Sequence, residues 1–356
     1  MRKILLVTMY SDNNFGNRLQ NYALQTVLTN MGYEVDNIKY DTHNGLKGTA
    51  ILFCKRLFRL FHIKFKSING DYLNALVPRI KKFERFNDNY ISNIINLRYF
   101  DTSLINTDNY AFAVTGSDQV WHNWYNDTKE MDMFYLAFMP KAKRIAYAPS
   151  FGFSVFPEHD LEMHKSYLSG YEKGKISCRE QTGTNIIKAA VGLYAPTVPD
   201  PTLLLGQADW RRLLKKPDYE VPTKYVLSYF LKEKRSFNTN EPIIEVCDYT
   251  QKNYFATSPD EFLWLVANAD HVYTNSFHAC VFAILFHKDF TVYKKSNEDM
   301  FDRIQTLLNG TGLEQCIESD AQHNIDWEQV DAVVAKRREF GLDFLRKALQ
   351  VENNSR

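Results

Sequence analysis

The sequence predicts an α/β protein: two successive units of alternating strands and helices, followed by one long amphipathic helix. Short apolar runs alternate with stretches of helical period almost throughout the 356 residues. The alternation restarts after PDPTLLL (199–205), and residues 327–349 hold a single helical period. The chain therefore divides into an N-terminal unit at 1–203 with an insertion at about 45–95, a smaller unit at 204–322, and a helical segment at 323–356.

KILLVTM (3–9) is a strand buried on both faces, and residues 17–31 form a helix stopped by Gly32. EVDNIKY (34–40), YAFAVTG (110–116), RIAYAPS (144–150) and KISC (175–178) are the further strands of the first unit. In the second unit KYVLSYFL (224–231), HVYT (271–274) and FTVY (290–293) are strands, and residues 260–268 and 279–286 are helices. Residues 232–256 look irregular, without a clear helix. The insertion contains a stretch, residues 42–70, with no acidic residue. At about 100° per residue, Lys55, Arg56, Arg59, His62 and Lys66 share one face and Leu57, Phe58, Phe61 and Phe65 the other. A basic amphipathic helix over residues 47–66 suits an anionic membrane surface, and equally an ordinary helix packed on its own domain.

Bulk composition excludes several classes. With 43 basic and 42 acidic residues the chain is nearly neutral, which gives nucleic acid no footing as a partner. Five cysteines without a C-x-x-C pair argue against a disulfide framework and a zinc ribbon, and for a reducing compartment. The N-terminal apolar run is too short for a signal peptide, and the longest apolar run, residues 279–286, is far short of a membrane span. The expected location is cytoplasmic, with peripheral attachment to the inner face of the membrane. There is no G-x-G-x-x-G, P-loop, H-E-x-x-H or Asp-x-Asp, which disfavours a divalent-metal mechanism.

Five stretches carry polar residues where α/β proteins bind ligands. In MYSDNNFGNRLQNYALQ (9–25), after the first strand, Asn17, Arg18, Asn21 and Gln25 fall on one helical arc and Gln20 on the apolar side. Solvated faces favour Lys and Glu, so this arc reads as a ligand-binding helix mouth. TGSDQVW (115–121) puts Ser117, Asp118, Gln119 and Trp121 just past a strand, an Asx-type turn being the competing use of Asp118. SCREQTG (177–183) offers Arg179 as an anion clamp, unless it merely pairs with Glu180. PDPT (199–202) reads as an inter-domain hinge with Asp200 as a cap. In HVYTNSFHACVFAILF (271–286), His278 sits at the mouth of an otherwise apolar helix, where it is either a satisfied core histidine or a proton carrier beside a bound anion.

Taken in register, GNRLQNYALQ, TGSDQVW, YAPSFG, SCRE, PDPT, YVLSYFL and TNSFHACVFAILF resemble the polysaccharide pyruvyl transferase family, from about residue 16 to about 303. The resemblance implies two Rossmann-like domains facing a cleft, a GT-B-like fold. It implies phosphoenolpyruvate as donor and, as acceptor, a sugar with two suitably placed hydroxyls, carried on a polyprenyl phosphate or diphosphate. The product would be a cyclic pyruvate ketal in a capsule, exopolysaccharide or cell-wall polymer, formed with release of inorganic phosphate and without a metal or organic cofactor. On this reading His278 and Asp118 are catalytic; Arg179, Asn17, Arg18, Ser276 and Phe277 bind the donor; Asn21, Gln20, Ser117, Gln119 and Trp121 bind the acceptor. One feature departs from the family: many members have Arg-Leu-His where this chain has Ser276-Phe277-His278. The donor's cation must then be sought in Arg179, Arg18 or Arg144. The competing functions are a GT-B-type glycosyltransferase using a nucleotide sugar and a non-catalytic membrane-docking protein.

Overall fold

Two wholly parallel sheets organise the chain in the computed structural model, which describes residues 2–41, 68–122, 128–152, 158–237, 239–294, 301–319 and 322–350. The first sheet has the order β3-β2-β1-β4-β5, formed by β1 (Arg2–Val7), β2 (Tyr33–Tyr40), β3 (Ile94–Leu97), β4 (Phe112–Thr115) and β5 (Arg144–Ala146). The second has the order β7-β6-β8-β9, formed by β6 (Val226–Tyr229), β7 (Ile243–Glu245), β8 (His271–Thr274) and β9 (Phe290–Val292). Helices cover both faces of such sheets, which is why β1 and β4 are buried along their apolar runs. In the first sheet the chain turns one way after β1 and the other way after β4. That switch opens a crevice at the carboxyl ends of the strands, and β6 and β8 repeat it in the second sheet.

The helices are α1 (Phe15–Asn30), α2 (Ile68–Tyr90), α3 (Thr128–Phe134), α4 (Glu158–Leu168), α5 (Gln181–Val191), α6 (Gln207–Arg211), α7 (Lys252–Phe255), α8 (Pro259–Asn268), α9 (Phe277–Leu285), α10 (Asp302–Leu308) and α11 (Trp327–Ala348). Asn14 starts α1 by accepting the Asn17 N–H, and Ser258 with Glu261 forms a capping box on α8. One apolar core runs through both halves, holding Ile4 and Leu6 together with Leu227 and Val272. Phe15, the first residue of α1, joins the halves: its ring stacks 4.3 Å from Phe262 and 5.4 Å from Phe83.

The last helix ties the halves again. Arg338 on α11 donates to Leu203 O at 2.8 Å and Leu205 O at 3.2 Å, and Arg337 to Leu307 O at 2.6 Å. Gly341 lets α11 close on the first half, since a Cβ there would lie 2.6 Å from the Tyr147 hydroxyl and 3.0 Å from Pro199. Tyr147 in turn donates to Pro199 O at 2.9 Å. The PDPT linker, which the sequence marks as an inter-domain hinge, is thus fastened on both sides.

Several expectations need correction. KISC is no strand of the sheet. It makes single bridges, Ala146 with Ile176 and Cys178 with Thr197, because Cys178 N turns to Pro196 O. RIAYAPS is cut to Arg144–Ala146: Ala148 is left-handed at φ 52° and Pro149 has no N–H to give. Residues 232–256 contain an edge strand, β7, and a four-residue helix, α7. Within the insertion, α2 and β3 are described, but the basic segment at 47–66 lies outside the described residues. Among the described residues no helix is long and apolar enough to cross a membrane.

Candidate active site

The site forms where the exits of β1 and β4 meet the mouth of α9. Gln20 on α1 locks the two exits together: its Oε1 accepts the Ser117 N–H at 3.2 Å, and its amide donates to Thr8 Oγ1 and to Asn17 O. Asn17 Nδ2 donates to Asp118 Oδ2 at 2.5 Å. Only glycine fits at 116, where φ is +112° and a Cβ would lie 2.0 Å from Tyr147 O. Asp118 itself is left-handed at φ 64°, a conformation its short polar side chain tolerates by accepting the Gln119 N–H at 3.0 Å.

Asp200 is the hub. Its Oδ1 caps the turn at Pro201–Leu203 by accepting Thr202 N at 3.0 Å and Thr202 Oγ1 at 2.7 Å. Its Oδ2 accepts Ser117 Oγ at 2.7 Å and Arg179 Nη1 at 2.8 Å, and faces His278 Nε2 at 3.8 Å. Burial alone would raise the Asp200 carboxyl, but His278, Arg179 and the Thr202 N–H outweigh it and hold it well below the usual carboxylate range. Burial likewise works against the charge on Arg179, yet Asp200, Asp118 and Glu180 more than compensate and raise it. Asp118, 3.5 Å from Arg179 Nη2, is held low by the same guanidinium in spite of burial. Glu180 is the exception: burial pushes it up, even though Oε1 accepts the Phe151 N–H.

His278 stands in the first turn of α9, directly after Ser276 as N-cap. Its ring lies against the backbone of Gly16, where a Cβ would meet Nδ1 at 2.1 Å. Nδ1 is thus the nitrogen next to Gly16, and Nε2, buried and without a hydrogen bond among the described residues, is the nitrogen nearest Asp200. Arg179 keeps Nε and Nη2 without hydrogen bonds, and its guanidinium lies 4.6 Å over the Phe277 ring. A guanidinium whose Nε and Nη2 make only long ion pairs, beside an imidazole whose Nε2 makes no hydrogen bond, can grip an anion and move a proton at its edge.

Of the residues expected at the site, His278, Asp118, Arg179, Asn17, Ser117, Ser276 and Phe277 come together. Others do not. Arg18 is fully buried behind α1, donating to Met9 O at 2.9 Å and Asn21 Oδ1 at 3.2 Å and lying 3.8 Å over the Tyr10 ring. Asn21 turns to Asn37 on β2 at 2.8 Å, and Asn37 donates to Gln25. That polar arc packs against β2, an inner strand of the sheet, rather than a ligand. Arg144 is spent on Met139 O and Ala137 O. Trp121 is wholly buried, stacked 5.0 Å from Tyr135, and is a core residue rather than a sugar platform. Gln20 has both ends of its amide occupied and positions Ser117. Gln119 is buried against Gly152, its Nε2 without a hydrogen bond among the described residues.

The sequence marked Asp200 only as a cap and Glu180 only as a possible partner of Arg179; it did not single out Gly16 as the seat of the imidazole, or Arg303. Among the described residues one group has the spacing of metal ligands: Asp289, Cys316 and His323. Asp289 already accepts His323 Nδ1 at 2.6 Å and His323 N at 3.0 Å, so this group fastens the chain near 323 to the end of β9.

Two parallel-sheet halves meeting at their carboxyl strand ends, with the charged cluster between them, define a two-domain α/β protein of GT-B-like architecture. The polysaccharide pyruvyl transferase family model matches residues 14–294, most of the chain. The chain belongs to that family, whose members are transferases. Among solved structures, an uncharacterized protein from Klebsiella pneumoniae is 15% identical with a TM-score of 0.40, covering 78% of this chain and 100% of its own. HepE from Anabaena, solved with UDP and glucose, is 10% identical with a TM-score of 0.47 over 99% of this chain and 100% of its own. The UDP-GlcNAc 2-epimerase from Neisseria meningitidis, bound to UDP-GlcNAc, is 9% identical with a TM-score of 0.39 over 99% and 95%. The architecture rests on the strand order described above and not on these distant alignments. No curated protein matches the chain.

Proposed function

We propose that the protein transfers the enolpyruvyl group of phosphoenolpyruvate to two hydroxyls of one sugar, closing a cyclic pyruvate ketal and releasing inorganic phosphate. The observation that carries this reading is the pairing of Arg179 and His278 on a single carboxylate, Asp200, with His278 Nε2 and Arg179 Nε and Nη2 making no hydrogen bond among the described residues. A small, multiply charged donor needs such a grip, and its methylene carbon needs a proton source within reach.

The atoms balance as follows. A proton is added to C3 of the donor, turning the methylene into a methyl group, while the first sugar hydroxyl forms a bond to C2 and loses its proton. The C2–O bond to phosphate then breaks, and the second hydroxyl attacks C2 and gives up its proton as phosphate leaves in its monohydrogen form. His278 Nε2 carries the proton to C3 and receives it back from the attacking hydroxyl. Asp118, held ionised by Arg179, is a weak base at neutral pH. Its part is to orient Arg179 and Asn17, a narrower role than the catalytic one expected from sequence. The acceptor is a sugar on a polyprenyl phosphate carrier in capsule, exopolysaccharide or cell-wall synthesis, a reading supported by the family and by the basic sequence at 47–66.

The test is phosphate release from phosphoenolpyruvate in the presence of lipid-linked or free pyruvylatable sugars. Release that depends on both substrates supports the reading. Stabilisation by a nucleoside diphosphate and not by phosphoenolpyruvate would replace it with nucleotide-sugar glycosyl transfer. In the same assay Gly16→Ala is expected to lower turnover by about 10²-fold, because the new Cβ forces the imidazole from its seat and a displacement of about 1 Å costs that much. Unchanged turnover would show that the position of the ring is not used.

A further inference from the structure

Arginines are numerous in the interior of this protein, and nearly all are tied off. Arg79 donates to Val246 O, Phe255 O and Asn13 O; Arg338 to Leu203 O and Leu205 O; Arg144 to Met139 O and Ala137 O; Arg18 to Met9 O and Asn21 Oδ1. Arg303 breaks the pattern. It is 9% exposed, yet its guanidinium makes no hydrogen bond or ion pair with any described residue, and its Nε is buried and bare. Burying a guanidinium unpaired is costly, so a bound partner of opposite charge is the economical reason to keep one.

Its place says what that partner is. Arg303 lies in the first turn of α10, and the residue before it, Asp302, accepts a hydrogen bond from Thr182 Oγ1 on α5. Thr182 stands two residues after Glu180 and three after Arg179, so this contact sets α10 over the Arg179–Glu180 corner. There Arg303 feels Arg179 as a repelling neighbour and Asp118, Glu180 and Asp200 as attracting ones. Burial and that repulsion lower it to about 10, which leaves it charged at neutral pH. Two guanidiniums with unused donors thus face one crevice, and a small anion of more than one charge relieves their repulsion and fills their hydrogen-bonding capacity together.

We propose that Arg303 binds the phosphate of the donor from the opposite side of the crevice to Arg179, an assignment that rests on the pyruvyl-transfer reading for the identity of that donor. The phosphate is the part of phosphoenolpyruvate that leaves, and a fixed guanidinium follows its growing charge as the C2–O bond breaks.

Calorimetric titration of the wild type, Arg303→Gln and Arg303→Lys with phosphoenolpyruvate and separately with inorganic phosphate tests this, together with the melting temperature of each protein. Arg303→Gln is expected to lose roughly tenfold to a hundredfold in affinity for both probes, Arg303→Lys less, with neither melting below the wild type because no hydrogen bond or ion pair to the described residues is lost and the repulsion with Arg179 is relieved or kept. Unchanged affinity in Arg303→Gln overturns the proposal, as does a loss of binding accompanied by lower melting in both variants, the mark of a structural role. Wild type that binds phosphate but not phosphoenolpyruvate, with phosphate lost in Arg303→Gln, keeps Arg303 as a phosphate site while removing pyruvyl transfer. Wild type that binds neither probe overturns both.

Discussion

Alanine in place of His278 is expected to cut phosphate release by about 10²–10⁴-fold, the usual loss for a general acid–base group, while leaving phosphoenolpyruvate affinity within a few fold. The split follows from the geometry. Nε2 has no hydrogen-bond partner among the described residues, whereas the positive charge that holds the ligand is that of Arg179. The variant therefore removes an interaction used in the reaction and little that holds the ground state. Steady-state rates and a binding titration on the same preparation read both quantities. Turnover near that of the wild type would take His278 out of the mechanism and leave its burial against Gly16 as its whole purpose.

Asp200→Ala carries the largest expected loss of stability, on the order of 3–5 kcal/mol, because it strands a buried guanidinium. Arg179 would lose its 2.8 Å partner, and Thr202 N and Oγ1 their acceptor, among residues that are almost wholly buried, while Ser117 Oγ would keep only Ala148 O at 3.0 Å. Asp200→Asn preserves much of the hydrogen bonding and removes the charge, so it separates the two contributions. The pH dependence has a definite sign. The folded carboxyl of Asp200 lies below its unfolded value, so its contribution is complete above about pH 4 and declines as pH falls from there toward the folded value. Denaturant titrations should therefore give a deficit for Asp200→Asn that is constant from about pH 8 to pH 5 and shrinks below about pH 4. A deficit unchanged down to about pH 2 would mean that the carboxylate is not held by its neighbours' charge.

Burial decides how much of this was legible in the sequence. The central strands β1, β4, β6 and β8 are covered on both faces and announce themselves as apolar runs. The edge strands β3 and β7 are only four and three residues long and partly exposed, so IINL and IIE show no pattern that separates them from loop. In the site, His278, Arg179, Asp118 and Asn17 were marked by position, each standing just past a strand or in the first turns of a helix. Helical period could group Asn17, Arg18 and Asn21 on one arc, but not say that Arg18 and Asn21 face Met9 and Asn37 while Asn17 reaches Asp118. Asp200 was read as a cap, which is half of what it does, because one oxygen serves the turn and the other serves Ser117 and Arg179. Arg303 gave no signal at all: it follows no strand, belongs to no motif, and gains its position from a contact between halves through Asp302 and Thr182.

The fastening of residues 199–205 by Arg338 and Tyr147 bears on how a ligand gets in. Two-domain α/β proteins often swallow their ligands by swinging one lobe over the other, spending binding energy on the stroke and using that stroke to reject poor fits. Here the pivot is clamped by the last helix, and a continuous greasy seam through Phe15 holds the lobes at one angle. A ligand therefore meets lobes already set at one angle around buried charged side chains. Little of its affinity is diverted into swinging a lobe, and selection falls to the charges already fixed in place.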